Sequence, residues 1–384
     1  MGRRKDGARA TVLVAHLGSE LYGSDRVLLE SVVGLVGGGN RVVVALPSAG
    51  PLVAALTTSG ARVVICPTPV LRRSVLRPRG MVRLLADTAR GLVAGARLIR
   101  SIQADVIYVN TVTIPHWVLL ARIYRVPVVV HVHEAEESLS KLGQQILTFP
   151  LLFATRVVSN SNYTVAVLAA AHHRLSRSTV IYNGIPGPEE VTPSRASLDS
   201  TLHLLYIGRL SPRKGLDCVL DAMVELKRRG VSCTLALVGA VFPGYEWYEQ
   251  QLRAQVTALG LYEQVSFEGF RATIWADLAA ADAVVVPSPN ESFGNIAVEA
   301  ILGGRPVITS NAPGLAEATA GYQIAQNFPV GDVEALCRAL TWVVDDWPQI
   351  AAAAHADIAL AQSRHSPTEY HRQVLELVSD MVTK

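Results

Sequence analysis

Residues 283–304 of the chain read Ala283-Val-Val-Val-Pro-Ser-Pro-Asn-Glu-Ser-Phe-Gly-Asn-Ile-Ala-Val-Glu-Ala-Ile-Leu-Gly-Gly304. Residues 283–287 form a continuous apolar run, which is typical of a strand buried on both faces. Residues 296–302 have the pattern of a short helix that the two following glycines stop. The stretch therefore predicts a strand, a loop and a helix in succession, which is the repeating unit of an α/β protein with a parallel sheet.

The loop and the start of this helix bring acidic side chains and backbone amides together. Glu291 should lie in the loop and Glu299 on the second turn of the helix. Between them, the amides of Phe293, Gly294 and Asn295 occupy the helix N-terminus, where donors lack intrahelical partners and the dipole is positive. This arrangement predicts an anion site between two carboxylates. It suits an anionic ligand that also carries hydroxyls, such as a nucleotide sugar.

Composition indicates two domains and no membrane-spanning segment. The chain has 384 residues, of which 50% are hydrophobic, and a mean hydropathy of +0.29. No uninterrupted apolar run reaches the roughly 18 residues that span a bilayer, and we expect no signal peptide at the basic N-terminus. The four cysteines show no metal-ligand spacing: Cys66, Cys218, Cys233 and Cys337. We read them as buried thiols in a reducing compartment and expect a cytoplasmic protein.

Strand-like and helix-like patterns alternate along the chain with one interruption. The predicted strands of the first half are residues 11–17, 41–47, 61–67, 105–110, 126–133, 156–161 and 179–184. Those of the second half are residues 202–208, 232–239, 264–269, 283–287 and 305–310. Between the two sets, residues 186–200 are rich in proline and poor in apolar residues, which is typical of a linker.

The fold class that follows is α/β, with two Rossmann-like parallel-sheet domains facing across a cleft. We predict an N-terminal domain over residues 1–185, a linker over 186–200 and a C-terminal domain over 201–365. A capping box at residues 366–369 opens a final helix in 366–384, which we expect to pack back on the N-terminal domain.

Two further loops follow predicted strands. In Gly208-Arg-Leu-Ser-Pro-Arg-Lys-Gly215, the side chains of Arg209 and Lys214 should lie at the same sheet edge as Glu291. A guanidinium fork and an ammonium suit a pyrophosphate and can stabilise one that leaves, although a loop of solvated charges is the alternative. After the first strand, Gly23 lies where a helix opens, but the G-x-G-x-x-G pattern of dinucleotide enzymes is missing.

A pair of histidines ends a predicted buried strand, in the sequence Val130-His-Val-His-Glu134. Alternation places His131 and His133 on one face. They are either satisfied by local hydrogen bonds or face a ligand site. A metal would need additional ligands, and none is identifiable.

The positive charge lies in the first half. Residues 1–198 hold 22 Lys and Arg against 11 Asp and Glu, and residues 199–384 hold 13 against 21. Arginines recur in residues 71–79 and along a predicted helix over 81–100, where Arg83, Arg90, Arg97 and Arg100 are expected opposite Leu84, Leu85, Val93 and Leu98. One hypothesis is contact with an anionic membrane surface, as a peripheral protein on its inner face; a solvated helix face is the other. Nucleic acid is disfavoured because aromatic residues are not interleaved with the charges.

Together these features resemble the GT-B-fold retaining glycosyltransferases of glycosyltransferase family 4, also described as glycosyl transferases group 1. The resemblance rests on five motifs in order: His133-Glu134, Tyr182-Asn183-Gly184, Gly208-Arg209 with Lys214-Gly215, Phe267-Glu-Gly-Phe270, and Glu291-x7-Glu299. It covers nearly the whole chain and is strongest over residues 202–320. Many relatives carry two adjacent glycines where this chain has Tyr22-Gly23-Ser24.

The resemblance implies roles for the donor-side residues. Glu291 would contact the sugar hydroxyls of a nucleotide-diphosphate donor, and Glu299 its ribose. Arg209 and Lys214 would bind the diphosphate. The remaining donor contacts would come from the amides of Phe293, Gly294 and Asn295 and from the base-pocket segment Gly269, Phe270 and Arg271.

In the first half, the resemblance places His133 near the transferred sugar and the acceptor, and Gly23 opposite the diphosphate. The implied catalytic set is then His133, Arg209, Lys214 and Glu291. The implied reaction moves a hexose-type sugar from a UDP- or GDP-linked donor to a hydroxyl acceptor with retention, in the biosynthesis of a cell-envelope glycolipid or polysaccharide. The cations and the helix N-terminus can stabilise the leaving diphosphate, so no essential metal or other cofactor is expected. A nucleotide-sugar epimerase of the same architecture and a non-catalytic nucleotide-sugar-binding protein stay open.

Overall fold

The computed structural model of the protein describes residues 9–71, 78–135, 139–242 and 244–382. The chain divides into two compact units, Met1–Gly184 with Pro367–Lys384 and Ile185–Ser366. Each unit is built on a parallel sheet. Within the described ranges, no helix has both the length and the apolar character that crossing a bilayer requires.

The first unit contains a seven-stranded sheet. Its strands are β1 (Thr11–Ala15), β2 (Arg41–Leu46), β3 (Arg62–Ile65), β4 (Val106–Val109), β5 (Val128–Val132), β6 (Arg156–Ser159) and β7 (Thr179–Val180). Its helices are α1 (Gly23–Gly37), α2 (Pro51–Thr58), α3 (Pro78–Ile102), α4 (His116–Tyr124), α5 (Lys141–Thr148), α6 (Asn162–Ala171) and α14 (Pro367–Val382). The strand order is β3-β2-β1-β4-β5-β6-β7, and every pair is parallel.

Strand β1 shows why the central strands of the first unit are apolar at nearly every position. Leu13 packs into a core with α3 and α4, whereas Val12 and Val14 pack into the core on the other face, with α1, α2 and α14. A parallel strand with helices on both faces has no solvent-facing side, so alternation of polar and apolar residues disappears.

The second unit contains a six-stranded parallel sheet in the order β10-β9-β8-β11-β12-β13. Its strands are β8 (Thr201–Ile207), β9 (Ser232–Val238), β10 (Val265–Gly269), β11 (Ala283–Val286), β12 (Val307–Ser310) and β13 (Ala325–Phe328). Its helices are α7 (Leu216–Arg228), α8 (Glu246–Ala258), α9 (Trp275–Ala280), α10 (Asn295–Leu302), α11 (Pro313–Thr319), α12 (Val333–Asp345) and α13 (Trp347–Arg364). The prediction of two Rossmann-like parallel-sheet domains is confirmed.

The strand order of each sheet reverses once, between β1 and β4 in the first unit and between β8 and β11 in the second. In open parallel sheets, ligands bind outside the carboxyl ends of the strands at such a reversal. The loops that follow β1, β4, β8 and β11 are therefore where a ligand site is expected.

The final helix, α14, belongs to the first unit. Its residues Tyr370, Val374 and Val378 are buried in the core that also contains α1, and the Tyr370 hydroxyl lies 2.6 Å from that of Ser31. A Cβ on Gly184 would lie 2.6 Å from the Tyr370 Cβ, so only glycine permits this approach.

Residues 186–200, expected to be a linker, form no helix or strand and are held within the second unit. The Arg195 guanidinium forms a 2.5 Å ion pair with the buried Asp282, and the Arg195 carbonyl accepts a 3.0 Å hydrogen bond from the Trp347 indole. The buried Arg305 donates to the Thr192 carbonyl at 3.0 Å. These contacts fix the segment on the unit that follows it.

The structure differs from the sequence expectations in three elements. Strand β13 was not predicted, because its polar centre, Gln326 and Asn327, hides the strand pattern. Strand β7 has two residues where a longer run was expected. In α3, Leu98 is buried, but Leu85 and Val93 are exposed, so they do not belong to a buried face opposite the arginines. Residues 72–77 and the side chains of 78–83, including Arg83, lie outside the described residues.

Candidate functional site

In the second unit, the loop between β11 and α10 carries Glu291, and α10 carries Glu299. Helix α10 begins after Gly294, whose φ of +110° suits glycine, and a Cβ there would lie 2.4 Å from the Leu315 side chain. The Phe293 ring is buried and packs on the His365 ring at 5.5 Å. The loop is thus anchored by a side chain in the core, and its backbone holds the start of α10 in place.

Helix α11 packs closely against this loop. A Cβ on Gly314 would lie 2.2 Å from the Glu291 carbonyl oxygen and 2.8 Å from the Phe293 nitrogen. Only glycine allows the helix to approach the backbone that precedes the α10 N-terminus. Gly314 was not singled out from the sequence, because nothing in its local pattern reveals the contact.

The structure brings Lys214 and Glu291 together as an ion pair between part-buried side chains. Lys214 ends a 3-10 turn, Pro212–Lys214, and Gly215 follows with a φ of +68°. A Cβ on Gly215 would lie 2.5 Å from the Pro287 carbonyl oxygen at the end of β11. The close approach that this glycine allows is what places the lysine beside the glutamate.

Arg209 follows β8, and its guanidinium lies over the ring of Phe242. Its carbonyl accepts a 2.9 Å hydrogen bond from the Tyr206 hydroxyl. A Cβ on Gly239, the residue after β9, would lie 1.8 Å from the Gly208 carbonyl oxygen, so the backbones after β8 and β9 touch. Arg209 therefore lies at the same carboxyl edge of the sheet as Lys214, stacked on a ring that the sequence did not identify.

The other residues for which the sequence predicted donor contacts lie as follows. Glu299 is 6% exposed on the second turn of α10, so its carboxylate is almost fully shielded from solvent. Gly269 ends β10 with a φ of +71°, and Phe270 is 41% exposed after it. Arg271 donates to Glu268 at 3.1 Å on the surface. This last segment belongs to the edge strand, two strands away from β8.

In the first unit, a chain of buried hydrogen bonds crosses the strand reversal. His133 Nε2 lies 2.9 Å from Asn110 Oδ1, Asn110 Nδ2 lies 3.3 Å from His16 Nδ1, and His16 Nε2 lies 2.7 Å from Asp25 Oδ1. The other Asp25 oxygen accepts from the Tyr22 amide at 2.9 Å, where α1 begins. His16, Asn110 and His133 directly follow β1, β4 and β5.

This chain of bonds fixes the tautomer of His133. A carboxylate only accepts, so His16 donates to it through Nε2 and accepts from the Asn110 amide through Nδ1. The Asn110 carbonyl then accepts from His133 Nε2, which leaves an unprotonated Nδ1 on the neutral ring. Desolvation, with His131 and His16 nearby, lowers the pKa of His133 well below its ordinary value. The neutral imidazole can act as a hydrogen-bond acceptor.

The neighbouring residues His131 and Glu134 have separate partners. The Tyr108 hydroxyl lies 2.6 Å from His131 Nδ1, and burial lowers the pKa of His131 to about 3. Glu134 accepts from the Thr111 hydroxyl and from the Val112 amide, and burial raises its pKa. Among the described residues, no group of three or more His, Cys, Asp or Glu side chains is arranged to hold a metal ion.

Gly23, the last of the sequence-selected residues, is the first residue of α1, two positions before Asp25. Sequence reasoning missed His16, Asn110 and Asp25. The signal that could have found them is positional, because His16 and Asn110 each follow a strand at the reversal of the sheet.

Two family models match the chain: Glycosyltransferase Family 4 over residues 22–186 and Glycosyl transferases group 1 over residues 189–359. Glycogen synthase of Mycobacterium tuberculosis is 29% identical over 264 residues, or 64% of this chain and 62% of that protein. The match thus spans less than two thirds of that relative's length. The 2-deoxystreptamine glucosyltransferase of Streptomyces kanamyceticus is 26% identical over 77% of this chain and 82% of its own length.

Solved structures show the same fold. The Anabaena Alr3699/HepE structure in complex with UDP-glucose superposes with a TM-score of 0.81 at 24% identity, over 96% of this chain and 99% of that one. This similarity, together with the two parallel sheets, shows the GT-B fold. The two family models follow one another over most of the sequence, so the chain belongs to the GT-B-fold glycosyltransferases, with a family 4 segment followed by a glycosyl transferases group 1 segment.

Proposed function

We propose that the protein is a retaining hexosyltransferase that moves a sugar from a nucleotide-diphosphate donor to a hydroxyl acceptor in cell-envelope glycolipid or polysaccharide biosynthesis. The observation that carries the proposal is the Lys214–Glu291 ion pair beside the N-terminus of α10, with Glu299 buried on the same helix. A diphosphate, a sugar and a ribose suit these three groups: a cation with backbone amides, a part-buried carboxylate and a shielded carboxylate.

The chemistry of the leaving group follows from these charges. Cleavage of the bond between sugar and diphosphate develops negative charge on the phosphate oxygens. Lys214, Arg209 and the positive end of α10 stabilise that charge in place, and a group of this kind contributes about 10²–10³ in turnover. A bound diphosphate competes with Glu291 for the ammonium of Lys214. Glu291 is then available to accept hydrogen bonds from sugar hydroxyls.

We assign the donor to the second unit and the acceptor to the first, with His133 Nδ1 accepting a hydrogen bond there. UDP-glucose is the first donor to test, because a similar solved structure holds it and two relatives are named for glucosyl or glycogen chemistry. GDP-linked hexoses are the second choice. We propose that no metal is needed, because the stabilising charges come from Arg209, Lys214 and α10.

Product analysis tests this function against its two alternatives. Purified protein is incubated with UDP-, GDP-, dTDP- and ADP-hexoses, with and without saccharide and glycolipid acceptors, in buffer with EDTA. Release of nucleoside diphosphate with a new glycoside of the donor's anomeric configuration is the expected result. An isomerised nucleotide sugar without acceptor would show an epimerase, and a thermal shift without any product would show a binding protein.

A further inference from the structure

Helix α5 and the 3-10 segment after it (Phe149–Phe153) expose a row of large apolar side chains. Leu142, Ile146, Phe149 and Phe153 are 65%, 66%, 52% and 48% exposed. Leu142, Ile146 and Phe149 are spaced four and three residues apart, which places them on one side of α5 and its end. The rings of Phe149 and Phe153 are 5.3 Å apart, so the end of the row is contiguous.

The opposite side of the same path faces the interior. Leu151 is buried in the first-unit core, and Leu147 packs against that core. Gln144, Leu147 and Thr148 line a small cavity together with Glu134, the residue next to His133. The exposed row is therefore not needed to hold the helix in place, and it is attached to the loop that carries the acceptor-side histidine.

The chain segment that carries the row, residues 139–184, contributes only positive charges. Residues 139–184 contain no Asp or Glu and four cations, all exposed: Lys141, Arg156, Arg174 and Arg177. Lys141 begins α5, and Arg156 begins β6 three residues after Phe153. The two other arginines lie on the 3-10 turn His173–Arg177, next to His172, whose ring is 6.3 Å from that of Phe149. Glu136 and Glu137 precede α5 in the sequence and lie outside the described residues.

We propose that this apolar–basic face, formed by Leu142, Ile146, Phe149 and Phe153 with the four cations, docks on an anionic lipid bilayer. Apolar side chains of a surface helix enter the boundary between headgroups and acyl chains, and a rim of cations is attracted to anionic headgroups. The inference rests on the proposed function and specifies its acceptor as a membrane-embedded lipid. The reason is that α5, which carries the face, also lines a cavity with Glu134, the neighbour of the proposed acceptor contact His133.

The arginine side of α3 is a weaker candidate for the same contact. The Arg90 guanidinium forms a 3.3 Å ion pair with Asp87, and Arg100 stacks over the Tyr124 ring at 5.1 Å. Both groups are thus already partly satisfied by residues of the first unit. The apolar–basic face adds four large exposed apolar side chains to its charge, whereas the part of α3 with described side chains, residues 84–102, has two, Leu85 and Val93.

Co-sedimentation with vesicles tests the proposal. The full chain is mixed with vesicles of phosphatidylcholine alone or with added phosphatidylglycerol, at low and high salt. We expect binding only to the anionic vesicles and weaker binding at high salt. The Ile146→Ser/Phe149→Ser variant should bind at least about tenfold more weakly, and Arg174→Gln/Arg177→Gln should lose the preference for anionic lipid. Tyr262→Ser/Val330→Ser, which removes exposed apolar residues of the second unit, is the matched control and should bind like the unaltered protein.

The outcomes separate this proposal from the proposed function. Nucleoside diphosphate release with a water-soluble acceptor should be equal in all variants. Unaltered protein that turns over the donor but ignores anionic vesicles overturns the docking face alone. The docking face is also overturned if the Ile146→Ser/Phe149→Ser variant binds anionic vesicles as tightly as the unaltered protein. A dimer of the unaltered protein in sedimentation velocity that this variant abolishes would likewise overturn it, because the face would then be a protein interface. Vesicle binding without turnover of any donor would support the docking face and exclude the proposed transferase function.

Discussion

At the scale of single residues, the candidate site consists of charges held by glycines. Lys214 reaches Glu291 because Gly215 allows the backbone to approach β11, and the loop of Glu291 touches α11 because residue 314 is glycine. Sequence reasoning identified the lysine and both glutamates, since each follows or opens a predicted element. It missed Gly314, because a close approach between segments leaves no local pattern.

Glu299→Gln tests the shielded carboxylate. The amide has nearly the same shape but no charge, and a hydrogen bond to a charged acceptor contributes about 1.5–3 kcal/mol. We expect the dissociation constant of the nucleotide sugar to rise about tenfold to a hundredfold, measured by titration calorimetry. Glu263→Gln, an exposed change on the same unit, should leave it unaltered. If both variants bind the nucleotide sugar with the same affinity, Glu299 does not contribute to binding it.

Asn110→Asp tests the buried chain of hydrogen bonds that ends at His133. Desolvation keeps the pKa of His133 well below its ordinary value, so the ring is neutral through neutral pH. A carboxylate 2.9 Å from Nε2 would stabilise the imidazolium and raise that pKa. Activity that depends on the neutral ring is lost as pH falls through the pKa. The acid limb of kcat/KM should therefore move to higher pH.

Asn40→Asp, which puts the same charge on the other end of α1 and away from His133, is the control for this measurement. It should keep the pH profile of the unaltered protein. A profile of Asn110→Asp that is lower at every pH but unshifted would show that Asn110 supports only the packing of the loop.

At the scale of elements, the strongest patterns were those of the buried parallel strands. Strand β11 and helix α10 lie where residues 283–304 place them, because a continuous apolar run next to a glycine-stopped helix has few alternatives. Strand β13 was not predicted, because its polar residues Gln326 and Asn327 interrupt the apolar pattern although its backbone pairs with β12. The hydrogen-bond chain His16–Asn110–His133 was not predicted either, because its two bonds join residues that are 94 and 23 positions apart in the sequence.

Gly215→Ala tests whether the turn before α7 is set by close packing. The added Cβ would lie 2.5 Å from the Pro287 carbonyl oxygen, in a backbone with φ +68°. The positive φ alone costs about 1–2 kcal/mol for an L residue, and the clash adds to this cost. Gly230→Ala is the control, because its φ is +80° and no atom lies within 4 Å of the added carbon.

Urea unfolding should show a larger loss of stability for Gly215→Ala than for Gly230→Ala. Only the former should also lower turnover, because it displaces Lys214. Equal losses in both variants would mean that the turn relaxes without consequence for the site.

At the scale of the whole molecule, the chain returns to its first unit at the end. Helix α14 buries Val374 completely and adds Tyr370, Val378 and Met381 to the core under α1. The core that α14 completes lies on one face of the first-unit sheet, with β1, β2 and β4. The stability of that unit therefore depends on residues about 180 positions after the rest of it ends.

Val374→Ala should destabilise the first unit by about 2 kcal/mol, through lost burial and the cavity that remains. Calorimetric unfolding of the full chain is the measurement, with Asp380→Ala, an exposed change on the same helix, as the control. We expect Val374→Ala to lower the temperature of the transition assigned to the first unit, and Asp380→Ala to leave that temperature unchanged. Equal effects of the two changes would show that α14 is not part of that core.

The role that we propose for Lys214 is to stabilise a leaving nucleoside diphosphate. Its most direct test is the rate of UDP release from UDP-glucose, with acceptor, by the unaltered protein, by Lys214→Met and by Lys227→Met. Lys227 is an exposed lysine of α7 in the same unit. We predict a kcat about 10²–10³ lower for Lys214→Met, from loss of a preorganised charge, with no change for Lys227→Met. A Lys214→Met protein that is stably folded and turns over the donor at the unaltered rate would show that Lys214 does not stabilise the leaving group.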